Sequence, residues 1–130
     1  MTGIRGGMEM ERVNLELPYP PTVNHYYTIA RGRKILSKRG RLFKEDSAYL
    51  LSPHKKKILS GRLFVEVIAY PPDKRKRDLD NILKPILDVL GSGLIFEDDS
   101  QVDELTIKRS VVKKPGLVKV KISEITPNRT

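Results

Sequence analysis

In RLFVEVIAYPPDKRKRDLDNILKPILDVL, residues 62–90, two elements of different periodicity meet across a charged bend. Residues 62–70 are nearly all apolar and rich in branched and aromatic side chains, which predicts a central strand covered on both faces. Beyond Pro71 and Pro72, Leu79, Ile82, Leu83, Ile86, Leu87 and Leu90 recur at i, i+3, i+4 and i+7. That spacing predicts a helix with one apolar face, ended by Gly91. Pro85 lies inside it and removes one backbone hydrogen bond, so a kink or a late start is expected.

Upstream, RVNLELPYPP alternates Val13, Leu15 and Leu17 with polar neighbours and ends in prolines, the pattern of a strand running into extended chain. Residues 22–41 hold Tyr26 and Tyr27 among many cations and read as a loop or short ribbon too polar for the core. Residues 41–59 predict a helix with an irregular apolar face of Leu42, Phe43, Tyr49 and Leu50, interrupted near Pro53. Downstream, residues 100–125 predict two strands around a Pro-Gly turn, with Val118, Val120 and Ile122 alternating against lysines. The first ten residues lack periodicity and are expected to be a tail, leaving 11–130 as one domain. The order predicts an α+β fold, a small mixed sheet with two main helices packed on it.

The chain has 130 residues, enough for one hydrophobic core. Without cysteine it can build neither a disulfide framework nor a thiolate metal site, and no apolar run approaches a membrane span, so a cytoplasmic protein is expected. A net charge of +9 favours a polyanionic partner, most often nucleic acid. The charge is unevenly spread: residues 78–104 hold 8 of the 16 acids and one cation, Lys84. Carboxylates repel a polyanion, so their concentration inside a basic chain calls for a neutralising partner, and a divalent cation serves.

On the helix starting near residue 79, with Asp80 at 0°, Lys84 falls near 40°, Asp88 near 80° and Asn81 near 100°, opposite the apolar arc. Asp78 fits a helix N-cap and Asp80 the favoured acid of a first turn, while FEDDSQVDE (96–104) fits a solvated turn. Taken together they fit hard-oxygen ligands of Mg²⁺ or Mn²⁺, with Lys84 placed to stabilise charge on a phosphate. Arg31, Arg33, Lys34, Lys38, Arg39, Arg41, Lys74, Arg75, Lys76 and Arg77 would hold the backbone without reading sequence. His25 and His54 lack metal-pair spacing, and no nucleophile elbow is present.

LPYPPTVNHYY (17–27), KRKRDLDNILKPILDVL (74–90) and DDSQV (98–102), in that order, resemble the motifs of the RusA family of Holliday junction resolvases. The resemblance implies a RusA-like fold and a metal-dependent endonuclease acting on branched DNA, the four-way junction, as a homodimer. It implies metal-binding aspartates at Asp78, Asp80 and Asp99, a catalytic lysine at Lys84, and supporting roles for Asn81, Asp98, Gln101 and Asp88. Mg²⁺ is the implied cofactor, with Mn²⁺ as a substitute. The proline at 85 and the N-terminal extension depart from the family pattern. Two rivals stand beside this reading: a non-catalytic nucleic-acid-binding protein, and a nuclease for another branched DNA or for RNA.

Overall fold

The computed structural model describes residues 12–54, 58–93 and 95–125; the expected tail falls outside them. In chain order the elements are β1 (Arg12–Pro18), a one-turn α1 (Val23–Tyr26), β2 (Tyr27–Ala30), β3 (Arg33–Leu36), α2 (Lys38–Leu51), β4 (Leu63–Tyr70), α3 (Asp80–Ser92), β5 (Val102–Arg109) and β6 (Leu117–Glu124). Single 3₁₀ turns follow α2 at Ser52–His54 and precede β5 at Asp99–Gln101.

A four-stranded mixed sheet in the order β1-β6-β4-β5 forms the base, with β4 antiparallel to β6 and parallel to β5. The alternation read from the sequence becomes rows across three strands: Val13, Ile122 and Val65; Leu15, Val120 and Val67; Leu17, Val118 and Ala69. These rows join Ile82, Ile86 and Leu90 of α3 and Phe43 and Leu51 of α2 in one buried cluster. Each buried Val, Leu, Ile or Phe side chain among them contributes about 1.5–3 kcal/mol. The α+β architecture predicted from the sequence is the one observed.

Five local expectations are corrected. β4 is central but covered on one face only: Leu63, Val65, Val67 and Ala69 are buried, whereas Phe64, Glu66, Ile68 and Tyr70 are half-buried. The apolar layer forms on a single side of the sheet, and long side chains shield the other, Lys121 Nζ lying 3.8 Å from Glu66 and Lys113 and Lys119 standing over the Tyr70 ring. β5 and β6 do not form a hairpin around Pro115 and Gly116, because β4 lies between them; β4, α3 and β5 instead make a parallel crossover.

Helix α2 starts at Lys38, since Ser37 caps it by accepting the Gly40 N–H at 3.0 Å, and it closes before Pro53. Its inward face is Gly40, Phe43, Ser47 and Leu51, leaving Leu42, Tyr49 and Leu50 exposed. α3 runs unbroken through a buried Pro85 and past Gly91 to Ser92. Residues 22–41 are a turn of helix and a hairpin, and Tyr26, in a stretch read as too polar for the core, is fully buried.

Tyr26 is buried because α2 crosses directly above it. The Tyr26 carbonyl accepts the Ser37 N–H at 2.9 Å, and a Cβ at Gly40 would stand 2.3 Å from that carbonyl oxygen. Gly40→Ala must therefore push two helical segments apart, and urea unfolding should register a loss of about 1–3 kcal/mol.

Candidate functional site

α3 turns Asp80, Asn81, Lys84 and Asp88 away from the core, with Asp80 and Lys84 exposed. Asp78 does not cap the helix. Its carbonyl accepts the Asn81 N–H at 3.2 Å, the cap position is taken by Leu79 in a helical conformation, and no side chain caps it. Among the described residues the side chains of Asp78, Asp80 and Lys84 make no hydrogen bond or ion pair. In a chain of net charge +9, acids left without partners are poorly explained by structure alone.

The turn at 97–101 is fixed from below by Gln101, which is 7% exposed. Its Oε1 accepts the N–H groups of Glu97 at 2.7 Å and Asp98 at 2.8 Å, and its Nε2 donates to the carbonyls of Leu59 and Gly61 at 2.9 Å each. Every donor and acceptor position of the amide is in use. Arg62 closes the turn from outside, donating to the Ser100 carbonyl at 2.5 Å and to Asp103 at 2.6 Å. Within the turn the Asp98 carboxylate accepts the Ser100 hydroxyl at 2.7 Å, while Asp99 is left to face α3. A Cβ at Gly91 would lie 3.7 Å from Asp99 Oδ1, so this glycine leaves space for the carboxylate. Burial pushes the Asp99 carboxyl above its ordinary range; Lys84 offsets part of this, and Asp98 and Asp88 add to it.

Asp88 accepts a short hydrogen bond from the hydroxyl of Tyr26. Burial first, and the neighbouring Asp88 carboxylate second, push the Tyr26 hydroxyl far above its ordinary range, so it stays protonated and donates. The structure thus gathers Asp88, Asp98, Asp99 and Lys84 around the middle and end of α3, and leaves Asp78 and Asp80 at its start. A rise of about 1.5 Å per residue puts Gly91, beside Asp99, about 16 Å along the helix axis from Asp80. Among the described residues no three His, Asp or Glu side chains stand close enough to hold one metal ion. The donor chemistry of Asp78, Asp80 and Asp99 fits a hard divalent cation. As placed, the three do not share one coordination sphere.

The cations divide into two kinds. Arg77 is a strut: its guanidinium bonds Asp73 at 2.6 Å, stacks 5.8 Å from the Tyr19 ring centre, and its carbonyl accepts from Arg109. Asp73 also takes the Arg75 side chain and N–H, and these bonds, that of Arg77 foremost, hold its carboxyl well below the usual range. Lys74, Arg75 and Lys76 remain exposed, as do Arg31, Arg33, Lys34, Lys38, Arg39 and Arg41. A groove of about 550 Å³ brings Arg39 of α2 beside Arg75, Lys76 and Arg77 across Tyr19 and Pro72, joining cationic stretches far apart in sequence. A second, of about 390 Å³, runs from Tyr27, Ile29 and Lys34 of the β2–β3 hairpin to Lys84. Tyr26, Asp73, Arg62 and Arg109 were not legible as site-building residues. Only the charge of the last three offered any signal, and each finds its partner through the fold.

Fold and site together define a small basic α+β protein whose third helix carries Asp80, Lys84 and Asp88 on its outer side, with Lys84 lining a groove it shares with Lys34. Residues 18–123 match the family described as Endodeoxyribonuclease RusA, and the chain belongs to that family. It is 37% identical over 117 residues to the crossover junction endodeoxyribonuclease rusA of Enterobacteria phage HK97, covering 89% of this chain and 98% of that protein. With the same coverage it is 31% identical to the proteins of that name from Enterobacteria phage 82 and Escherichia coli K12. Among the described residues no helix is long and apolar enough to cross a membrane.

Two substitutions separate scaffold from site. Gln101→Leu strips four backbone groups of their partner and should lower stability by at least about 2 kcal/mol in urea unfolding. Asp99→Asn should do the reverse. An acid whose folded-state pKa is raised costs the native state free energy above that pKa, and the cost vanishes as pH falls below the unfolded value. In EDTA, Asp99→Asn should therefore melt at or above the wild-type temperature at pH 7, with the difference closing by about pH 3.

Proposed function

We propose that this chain is a structure-selective DNA endonuclease that resolves four-way junctions by paired phosphodiester hydrolysis. The observation that carries the reading is the pair Asp78 and Asp80 at the start of α3, whose side chains have no partner among the described residues, with exposed Lys84 one turn on at the edge of a groove. Its relatives in phages and E. coli are named crossover junction endodeoxyribonucleases, which supports the same substrate here.

Lys84 carries the electrostatic role. Its ammonium has no ion-pair partner among the described residues, so it is available to a phosphate oxygen and to the charge that builds as water attacks phosphorus. Arg31, Arg33, Lys34, Lys38, Arg39 and Arg41 on one side, and Lys74, Arg75 and Lys76 on the other, grip the backbone, while Arg77 shapes the loop that displays them. Asn81 and Asp98 flank the acids, and Gln101 positions the turn that presents Asp99. Asp78, Asp80 and Asp99 would hold Mg²⁺, or Mn²⁺ in its place. Bound there, the cation supplies Lewis-acid and water-activating chemistry. Asp78 and Asp80 at the start of α3 and Asp99 on the turn beside its end would each offer a carboxylate, and substrate phosphate oxygens would complete the set of hard-oxygen donors. A homodimer follows from the reaction: a two-fold symmetric junction needs two opposed cuts, which a C2 pair of sites can place. Such work sits in the cytoplasm of a bacterial cell, with the DNA.

The test is cleavage of a synthetic four-way junction beside linear duplex, flap and RNA, in Mg²⁺, Mn²⁺ or EDTA. Paired symmetric nicks on the junction alone, abolished by EDTA and reduced at least about 100-fold by Asp80→Asn, are the expected result. Calorimetry should find Mg²⁺ bound weakly by the free protein, and more tightly by the wild type once a junction with uncleavable phosphate linkages is present. Tight junction binding without cleavage in either metal would make this a binding protein instead.

A further inference from the structure

The β2–β3 hairpin carries an exposed apolar side chain, Ile29, among cations on the groove that reaches Lys84. Its register sets Tyr27 against Leu36, Thr28 against Ile35, Ile29 against Lys34 and Ala30 against Arg33. Side chains opposite one another share a face, so Tyr27, Leu36, Ile29 and Lys34 form one side of the ribbon. Tyr27 and Leu36, at its base, pack against the core, and Tyr26 meets the Tyr27 ring edge-on at 4.9 Å. Toward the tip this apolar side emerges from the protein: Ile29 is 69% exposed. Arg31 and Gly32 both have positive φ, which closes the hairpin tightly and matches the strand twist.

A lone exposed isoleucine is ordinary on a protein surface. Two features set this one apart. A two-stranded ribbon is marginally stable alone, and among the described residues no third strand pairs with it. Polar residues at its tip would cost the fold nothing. Ile29 also lines the groove that Lys34 and Lys84 share, so what touches Ile29 lies beside the lysine assigned to the reaction.

We infer that the hairpin is a wedge, and that Ile29 enters the base stack of DNA at the branch point while Lys34 and Arg33 hold the flanking phosphates. Apolar side chains on basic elements unstack and kink DNA in this way, and the cost is least where stacking is already broken, as it is where strands exchange. The unstacked strand then passes along the groove to Lys84. The proposal rests on the junction-nuclease reading and adds how the branch is recognised: a continuous duplex resists the wedge, an exchange point admits it.

The experiment places 2-aminopurine at the branch point of a junction, in EDTA so that no strand is cut, and follows fluorescence as protein is added. The wild type should raise the signal several-fold. Ile29→Ala, at a site too exposed to threaten folding, should bind the junction within about threefold of wild type, because the cations that dominate affinity remain. It should give less than a quarter of the fluorescence rise, and Ile29→Phe should restore it. In Mg²⁺, Ile29→Ala should cut the intact junction at least tenfold more slowly, with a smaller deficit when two bases at the branch are left unpaired. An unchanged rise in Ile29→Ala, or a wild type that cuts junctions without any rise, overturns the wedge and leaves the nuclease standing. A wild type that neither prefers nor cuts branched DNA removes the parent reading, and the wedge with it.

Discussion

Tyr26 ties the molecule together. Its hydroxyl donates to Asp88 on α3, its carbonyl accepts both the N–H and the hydroxyl of Ser37 at the start of α2, and its ring packs edge-on against Tyr27 and Phe43. Three elements, the hairpin, α2 and α3, therefore take their relative positions from one fully buried residue. A buried phenol must find a hydrogen-bond partner, and a partly buried carboxylate must find a donor, so each group meets the other's requirement at the junction of the helices. Gly40 is what allows the approach, since any side chain there would meet the Tyr26 carbonyl. The groove from the hairpin to Lys84 is lined by Tyr27, the residue next to Tyr26, and by Val23 and Asn24 of the same short helix.

The acidic turn shows how the fold spends stability to place charge. Gln101 and Arg62 commit a full set of hydrogen bonds to a short 3₁₀ turn, and the residue so presented, Asp99, is partly desolvated against α3. A carboxylate in that position is costly at neutral pH, and a polar isostere would be cheaper for folding. The scaffold is over-determined on one side of the turn so that a destabilising group can be held on the other. Asp78 and Asp80, at the far end of the helix, pose a milder version of the same problem: exposed and without partners, they lie at a helix N-terminus, whose partial positive charge eases their mutual repulsion.

Positive charge is handled by a different rule. Asp73 neutralises part of the basic loop and converts Arg77 from a surface cation into a strut, sandwiched between Asp73 and the Tyr19 ring. What remains exposed is a smaller set of side chains on a loop with a fixed course. Arg75 and Lys76 share a proline-lined groove with Arg39 of α2, so cations separated by more than thirty residues act on one surface.

The sequence by itself determined the elements with a plain apolar pattern: the alternating strands β1 and β6, the continuous apolar run of β4, the apolar stripe of α3, and the α+β class they compose. It also showed that acids concentrate around Lys84 in a basic chain, because charge density is readable in one dimension. Only the tertiary structure decided which face of β4 is covered, that β5 and β6 lie on either side of it, and that Tyr26 belongs to the core, since each depends on residues far apart in the chain. The same holds for the site. Periodicity placed Asp80, Lys84 and Asp88 on one side of a helix, but the level at which Asp99 meets that helix was set by Gln101, bonded to residues forty positions away. Long-range hydrogen bonds between a turn and a strand leave no local pattern, so the spacing of the carboxylates could be settled only in three dimensions.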